Sequence, residues 1–255
     1  MQAGNNDVLR FSYGGEEYFA KAYKNKACFR RELYALENFL ASEIPVPEVV
    51  YKSKSCEGAE NGLIVMRKAG GMPLDKIEVR RNEYCYEMGC LLSRIHSLEL
   101  QTEIEPWIIP AQEIAGQVLA FSEEENIRHR TSGLVEKTFE KFKLSQSVVV
   151  SHGDYIERNV LGSDGRITGI VDWECLRAAR PEVDLGYCCA FLDIFRNPDE
   201  ERSFIKGYSL KFDEQLKDEI KLLYKMILAR YWQQTGKSQE YQKALSAVKK
   251  QLADL

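Results

Sequence analysis

The stretch from Val148 to Glu174, VVVSHGDYIERNVLGSDGRITGIVDWE, constrains the fold of this chain more than any other segment. It opens on an apolar run, passes Asp154 and Asn159, and then sets two strand-like runs on either side of Gly162-Ser163-Asp164-Gly165 before ending at Asp172 and Glu174. Gly and Asp at the centre permit a tight reversal, so the two runs form a hairpin that brings Asn159 and Asp172 toward one edge. Asp154 follows the Val148–Val150 run and sits at the mouth of a strand. Alone, an Asp in His-Gly-Asp is better explained as a turn residue. With Asn159 and Asp172 it gains a chemical reading: one carboxylate accepts a hydroxyl proton, while a second carboxylate and an amide oxygen hold hard cations against the phosphates of a nucleoside triphosphate.

The 255-residue chain is long enough for one large core or for two lobes sharing a cleft. Its formal charge of -4 and the absence of a concentrated Lys/Arg run exclude a nucleic-acid or anionic-membrane partner as the expectation. No segment has the apolar length of a bilayer span, and the N-terminus lacks a basic stretch followed by an apolar one, so a cytoplasmic location is expected. The seven cysteines are odd in number and show no CxxC spacing, which predicts packed, reduced thiols rather than a disulfide frame or a zinc cage.

Val8–Tyr13 and Tyr18–Tyr23 around Gly14-Gly15 predict a β-hairpin. A helix is expected over Cys28–Ser42 on the stripe Phe29, Leu33, Leu36 and Leu40, ending before Ile44-Pro45-Val46-Pro47, whose prolines favour extended chain. Leu63–Met66 reads as a strand and Arg67–Gly71 as a hinge. Residues 1–70 then form a small β-rich N-terminal lobe, and residues 71–255 a larger, mainly helical lobe around the hairpin, an α+β architecture. Helices are expected on the stripes Cys85-Met88-Leu92-Ile95, Leu134-Val135-Phe139-Phe142 and Leu216-Ile220-Leu223-Ile227.

His152-Gly153-Asp154 with Asn159, followed by Gly169-Ile170-Val171-Asp172-Trp173-Glu174, resembles the aminoglycoside phosphotransferase and choline kinase family, relatives of the protein kinases. The resemblance extends in element order over nearly the whole chain. It implies a two-lobed protein-kinase-like fold in which Asp154 is the catalytic base, Asn159 and Asp172 bind Mg²⁺, and His152 shapes the catalytic loop through hydrogen bonds. It also aligns Asp184 with an Asp that follows the metal loop in the family; helix capping is the role expected of it here.

In the small lobe Lys21 lies on the second hairpin strand, where a lysine can reach α- and β-phosphates, and Glu32 borders the apolar stripe of the next helix and can pair with it. Lys24, Lys26 and Glu37 compete for these places, and the resemblance favours Lys21 and Glu32. It also makes Met66 to Ala69, with Lys68 among them, the hinge that holds a purine. Gly4 and Asn5 resemble the family's phosphate loop, but the strand that leads into that loop is missing.

The resemblance implies an acceptor side built from the metal loop onward and from the C-terminal helices, which makes Glu174, Asp193, Asp199, Glu200, Trp173, Tyr187 and Trp232 candidates, although surface charge or core packing is the better expectation for most of them. From Asp172 to Glu200 there are seven acidic and three basic residues, a slight lean toward an amine-bearing acceptor. His96 is expected in packing and His129 in solvent. The reading is a small-molecule kinase that moves the γ-phosphoryl group of ATP or GTP, with Mg²⁺, to a hydroxyl of an aminoglycoside or similar amino-alcohol or sugar. A protein substrate is disfavoured because no long activation loop or APE-like segment follows Asp172. A nucleotide-binding pseudokinase or regulatory module is the rival, motivated by the short phosphate loop. The oligomeric state is left open.

Overall fold

The computed structural model describes residues 6–253 except 102–103, 106–110, 125–126, 128–130, 132 and 145–147; Gly4, Asn5 and His129 therefore lie outside the described residues. Strands β1 (Asp7–Tyr13) and β2 (Glu16–Ala22) pair antiparallel across Gly14-Gly15. Helix α1 (Lys26–Asn38) starts where the Asn25 side chain accepts the Ala27 N–H at 2.7 Å, which satisfies one of the donors a helix start leaves free. The helix is shorter than the expected Cys28–Ser42. Its last turn tightens to a 3₁₀ turn at Leu40–Ser42, and Glu43 stops it in the left-handed region at φ 59°.

Beyond the prolines the chain forms a strand that its pattern does not announce, β3 (Val49–Ser53), paired with β4 (Leu63–Arg67). It is a mostly exposed edge strand in which Val49 packs against the core while Val50 and Tyr51 face outward. The sheet order is β1-β2-β4-β3. The chain then leaves the small lobe through Gly71, where φ is 86° and an added Cβ would stand 2.6 Å from the Gly162 carbonyl oxygen. Only glycine fits that crossing.

The larger lobe continues with β5 (Met72–Pro73), α2 (Arg81–His96), α3 (Ala111–Glu124), α4 (Leu134–Leu144), β6 (Val149–Ser151), β7 (Val160–Ser163), β8 (Arg166–Ile170) and β9 (Arg177–Ala179). Four helices close it: α5 (Pro181–Phe195), α6 (Pro198–Gly207), α7 (Glu214–Gln234) and α8 (Ser238–Ala253). The hairpin β7–β8 pairs with β5, so the hinge segment and the hairpin share one sheet.

One apolar core runs without a break from Phe29 and Ile64 of the small lobe through Trp173 to Met88, Leu92 and Phe204. It is joined by a polar tie, the Ile170 N–H donating to the Pro45 carbonyl at 2.6 Å. A second core lies among α3, α5, α7 and α8, around Phe121, Leu222, Met226 and Val248. No described helix is long and apolar enough to cross a membrane.

Candidate active site

The pairing of β6 with β9 sets Ser151 opposite Arg177, and the chain turns immediately afterwards. Gly153 makes that turn at φ 80°, where a Cβ would meet the Cys175 carbonyl oxygen at 2.4 Å. The turn is anchored from below by Asp184, which is fully buried. Its carboxylate accepts the N–H groups of His152 and Gly153, both at 2.9 Å, and lies 3.1 Å from His96 Nε2. His96 Nδ1 stands 2.7 Å from the Tyr208 hydroxyl. Burial pushes the Asp184 pKa up, but the His96 bond and the neighbouring donors outweigh it and hold the carboxyl below its ordinary range.

Two sequence expectations change here. Asp184 does not cap its helix: α5 begins at Pro181 after Arg180, and the Asp184 carboxylate reaches back to the loop. His96 is not simply packed but completes the anchor. For His152, Nδ1 accepts the Asp154 N–H at 3.2 Å and Nε2 lies 3.1 Å from the Val171 carbonyl, so Nε2 carries the proton. Burial lowers its pKa, and the neutral ring rests 4.4 Å from that of Trp173.

Beyond the turn, the Asn159 amide nitrogen donates to the Asp154 carbonyl at 2.9 Å and to Asp154 Oδ2 at 2.8 Å. Both amide hydrogens are thereby used, and the amide oxygen is left for another partner. The Val171 N–H donates to the Asn159 carbonyl at 2.9 Å, which draws Asp172 alongside with φ 66°. Burial raises the Asp154 pKa to about 6, against the opposing pull of the Asn159 bond. The Tyr187 side chain of α5 stands beside the same carboxylate and pulls its pKa down, against the larger effect of burial.

Between Asp154 and Asn159 stands Glu157, which the sequence reading passed over. Its carboxylate is held by the Arg81 guanidinium on one side and by Arg196 Nε at 3.0 Å on the other. Arg81 also meets Glu200 at 2.9 Å and the Leu74 carbonyl at 2.6 Å, and Arg196 meets the Asp75 carbonyl at 3.1 Å. This buried clamp ties the loop to α2, α5 and α6. Its members are scattered over more than a hundred residues, so no local spacing could reveal it.

On the small-lobe side, Lys21 Nζ lies 2.7 Å from Glu32, 2.6 Å from Asp172 and 3.2 Å from Glu174. The Tyr23 hydroxyl donates to Glu32 at 2.7 Å and fixes it. Burial works against the Lys21 charge, but the Glu32 and Asp172 carboxylates outweigh it and hold the ammonium above its ordinary range. Lys24 instead pairs with Asp7 and Glu37 with Lys52, both in exposed positions.

Glu174, expected on the acceptor side, stands with Lys21 and accepts from the Asn6 side chain. The short 3₁₀ turn Trp173–Cys175 that follows Asp172 packs on α1 and directs Glu174 that way. At the hinge, Met66 is buried within the sheet, and Lys68 donates its N–H to the Glu17 carbonyl at 2.9 Å and its ammonium to the Glu17 carboxylate at 2.6 Å.

The other acceptor candidates divide. Asp193 is paired with Lys225 and with Lys221 at 3.3 Å, Glu200 belongs to the clamp, and Asp199 pairs with Arg202 in the open. Trp232 is buried among Phe191 and Phe195. Tyr187 is the one that reaches Asp154.

Comparison with known proteins agrees with this fold. A thermostable mutant of aminoglycoside phosphotransferase APH(4)-Ia matches 100% of this chain and 92% of its own, with 14% identity and a TM-score of 0.72. The GDP and kanamycin complex of APH(2")-IIia gives 13% identity over 97% of this chain and 93% of its own, with a TM-score of 0.70. Macrolide 2'-phosphotransferase MphH from Brachybacterium faecium gives 18% over 97% and 90%, with a TM-score of 0.62. These likenesses show the two-lobed kinase-like fold. No curated protein matches the chain by sequence. The model of the phosphotransferase enzyme family matches residues 4–222, well over half of the 255, and this chain, a small-molecule kinase by its family and fold, therefore belongs to the phosphotransferase enzyme family.

Proposed function

We propose that the protein transfers the γ-phosphoryl group of ATP or GTP to a hydroxyl of an aminoglycoside or of a similar amino-alcohol or sugar. The observation that carries this reading is the convergence of Lys21 and Glu32 from the small lobe with Asp172, Asn159 and Asp154 from the larger one. Residues 1–70 supply the nucleotide lobe in this reading and residues 71–255 the acceptor lobe. The GDP and kanamycin held by the related APH(2")-IIia support both kinds of ligand.

Asp154 orients the acceptor hydroxyl and takes its proton, and Asn159 keeps that carboxylate turned to the reacting oxygen. Lys21, steadied by Glu32, binds the phosphates of the nucleotide. Oxygen donors suit Mg²⁺, and the committed amide nitrogen of Asn159 leaves its oxygen, with the Asp172 carboxylate, as the pair that would hold it. When bound, Mg²⁺ neutralises charge on the phosphates. The Arg67 and Lys68 N–H groups are used by the Glu48 and Glu17 carbonyls, so a purine at the hinge is held through other backbone groups between Met66 and Ala69.

Incubation with Mg-ATP or Mg-GTP and a panel of amino sugars, choline, homoserine and sugars tests the reading. Formation of a phosphorylated acceptor and nucleoside diphosphate is the expected outcome. Tight nucleotide binding with no phosphorylation of any acceptor or of water would refute it.

Two variants follow from the geometry. Asp172→Ala weakens Mg-nucleotide binding about tenfold or more, read by calorimetry with and without magnesium, because it removes a cation ligand and a Lys21 partner. An unchanged affinity would remove Asp172 from the ligand set. Glu157→Gln lowers kcat about ten- to a hundredfold at nearly constant nucleotide KM, because it loosens the loop between Asp154 and Asn159 without touching the phosphate side. Equal falls in nucleotide affinity and kcat would instead mark a general loss of structure.

A further inference from the structure

The acceptor side carries a charge pattern that composition conceals. Acidic residues outnumber basic ones between Asp172 and Glu200, yet the fold commits them to partners. Glu182 pairs with Arg180 at 2.9 Å, Asp193 with Lys221 and Lys225, and Glu200 with Arg81. Asp184 is occupied by His96 and two backbone donors. Little negative charge remains to receive an ammonium group.

What stands uncommitted beside Asp154 is a cation. Arg158, the residue before Asn159 in the 3₁₀ turn Glu157–Asn159, is exposed, and among the described residues no carboxylate pairs with it. Its guanidinium lies 5.8 Å above the ring of Phe191. That ring lies 5.2 Å from the ring of Tyr187, one helical turn earlier on α5, and Tyr187 stands beside Asp154. Asp154, Tyr187, Phe191 and Arg158 thus form a continuous patch, with a proton acceptor at one end and an unpaired guanidinium at the other. A guanidinium resting on an aromatic face keeps its planar donor edge free, and that edge matches a carboxylate or phosphate.

We propose that this patch is an acceptor subsite for an alcohol carrying a carboxylate or phosphate group, with the anion on Arg158 and the accepting hydroxyl at Asp154. The proposal rests on the phosphoryl-transfer reading, keeps its sugar or polyol hydroxyl as the acceptor, and puts an acidic group in place of the amine. In the transfer, the acceptor oxygen bonds to the γ-phosphorus and the bond from that phosphorus to the β–γ bridging oxygen breaks. Its electron pair leaves on the nucleoside diphosphate, and the hydroxyl proton passes to Asp154. A polycationic acceptor would bring like charge against Arg158, whereas an anionic one relieves it.

The test compares four probes on the full chain with Mg-ATP and Mg-GTP: D-gluconate, D-glucose 6-phosphate, neutral D-glucitol and the polycation kanamycin. One or both anions should exceed D-glucitol and kanamycin in kcat/KM by about tenfold, and the gluconate and phosphate arms distinguish the two kinds of anion. Arg158→Gln should erase that preference through KM. Calorimetric titration of both proteins with the same probes reads the subsite without catalysis. Kanamycin as the best acceptor, or an Arg158→Gln variant with an unchanged preference, would overturn the subsite while leaving phosphoryl transfer standing. Arg158-dependent binding of an anion, with no transfer to any probe or to water, would uphold the subsite and overturn the kinase reading. Absence of anion binding and of anion phosphorylation would overturn the subsite.

Discussion

Asp154→Asn lowers kcat by about a hundred- to ten-thousandfold, the contribution expected of a positioned general base. The substitution preserves shape and keeps an oxygen for the Asn159 amide, which now donates at 2.8 Å, but the new side chain cannot accept a proton from the acceptor. Nucleotide affinity should stay near that of the parent, because the phosphate side is built on Lys21, Glu32 and Asp172. Single-turnover rates with saturating nucleotide, together with calorimetric titration, separate the two quantities. Full activity in the variant would exclude Asp154 as the base.

Asp184→Ala has the other large effect, and it falls on stability as well as rate. The carboxylate is fully buried and serves the His152 N–H, the Gly153 N–H and His96 at once. Its loss leaves two backbone donors and a ring nitrogen without their acceptor, a cost of about 3–5 kcal/mol. For a chain of this size that corresponds to roughly 6–20 °C in Tm. Activity should fall even below the new Tm, since the loop bearing Asp154 loses its anchor. Thermal unfolding followed by circular dichroism measures the first effect, and a Tm within a degree or two of the parent would refute it.

The pH dependence has a definite sign. The folded-state pKa of Asp184 lies below its unfolded value, so its stabilising contribution is complete above the ordinary aspartate pKa of 3.8 and is lost as pH falls from there through the folded value. Acid unfolding of Asp184→Ala should therefore be less steep below that pH than that of the parent.

Much of this site was legible because its chemistry is local in sequence. Asn159 and Asp172 flank the β7–β8 hairpin, whose turn of Gly, Ser and Asp draws them together, and Asp154 follows β6 only five residues before Asn159. Lys21 and Glu32 were legible for a related reason, since a hairpin strand and the following helix pack within one small sheet lobe. Strand β3 was not, because its five residues follow closely on the prolines and show no clean apolar alternation, Val50 and Tyr51 both facing outward. That Glu174 stands with Lys21 and Asn6 was not legible either, because residue spacing does not say which way a 3₁₀ turn faces.

The family, most of the element order and the candidate residues for phosphoryl transfer can be read from the chain alone, since strand period, turn chemistry and motif spacing are properties of neighbouring residues. Tertiary structure alone decided which charges are free to act. The partners of Asp184, Glu157, Asp193 and Glu200 include residues far away along the chain, while Arg158 rests on the Phe191 ring and among the described residues has no carboxylate at salt-bridge distance. Electrostatic interaction depends on distance through space and on burial, and neither is a function of separation along the chain.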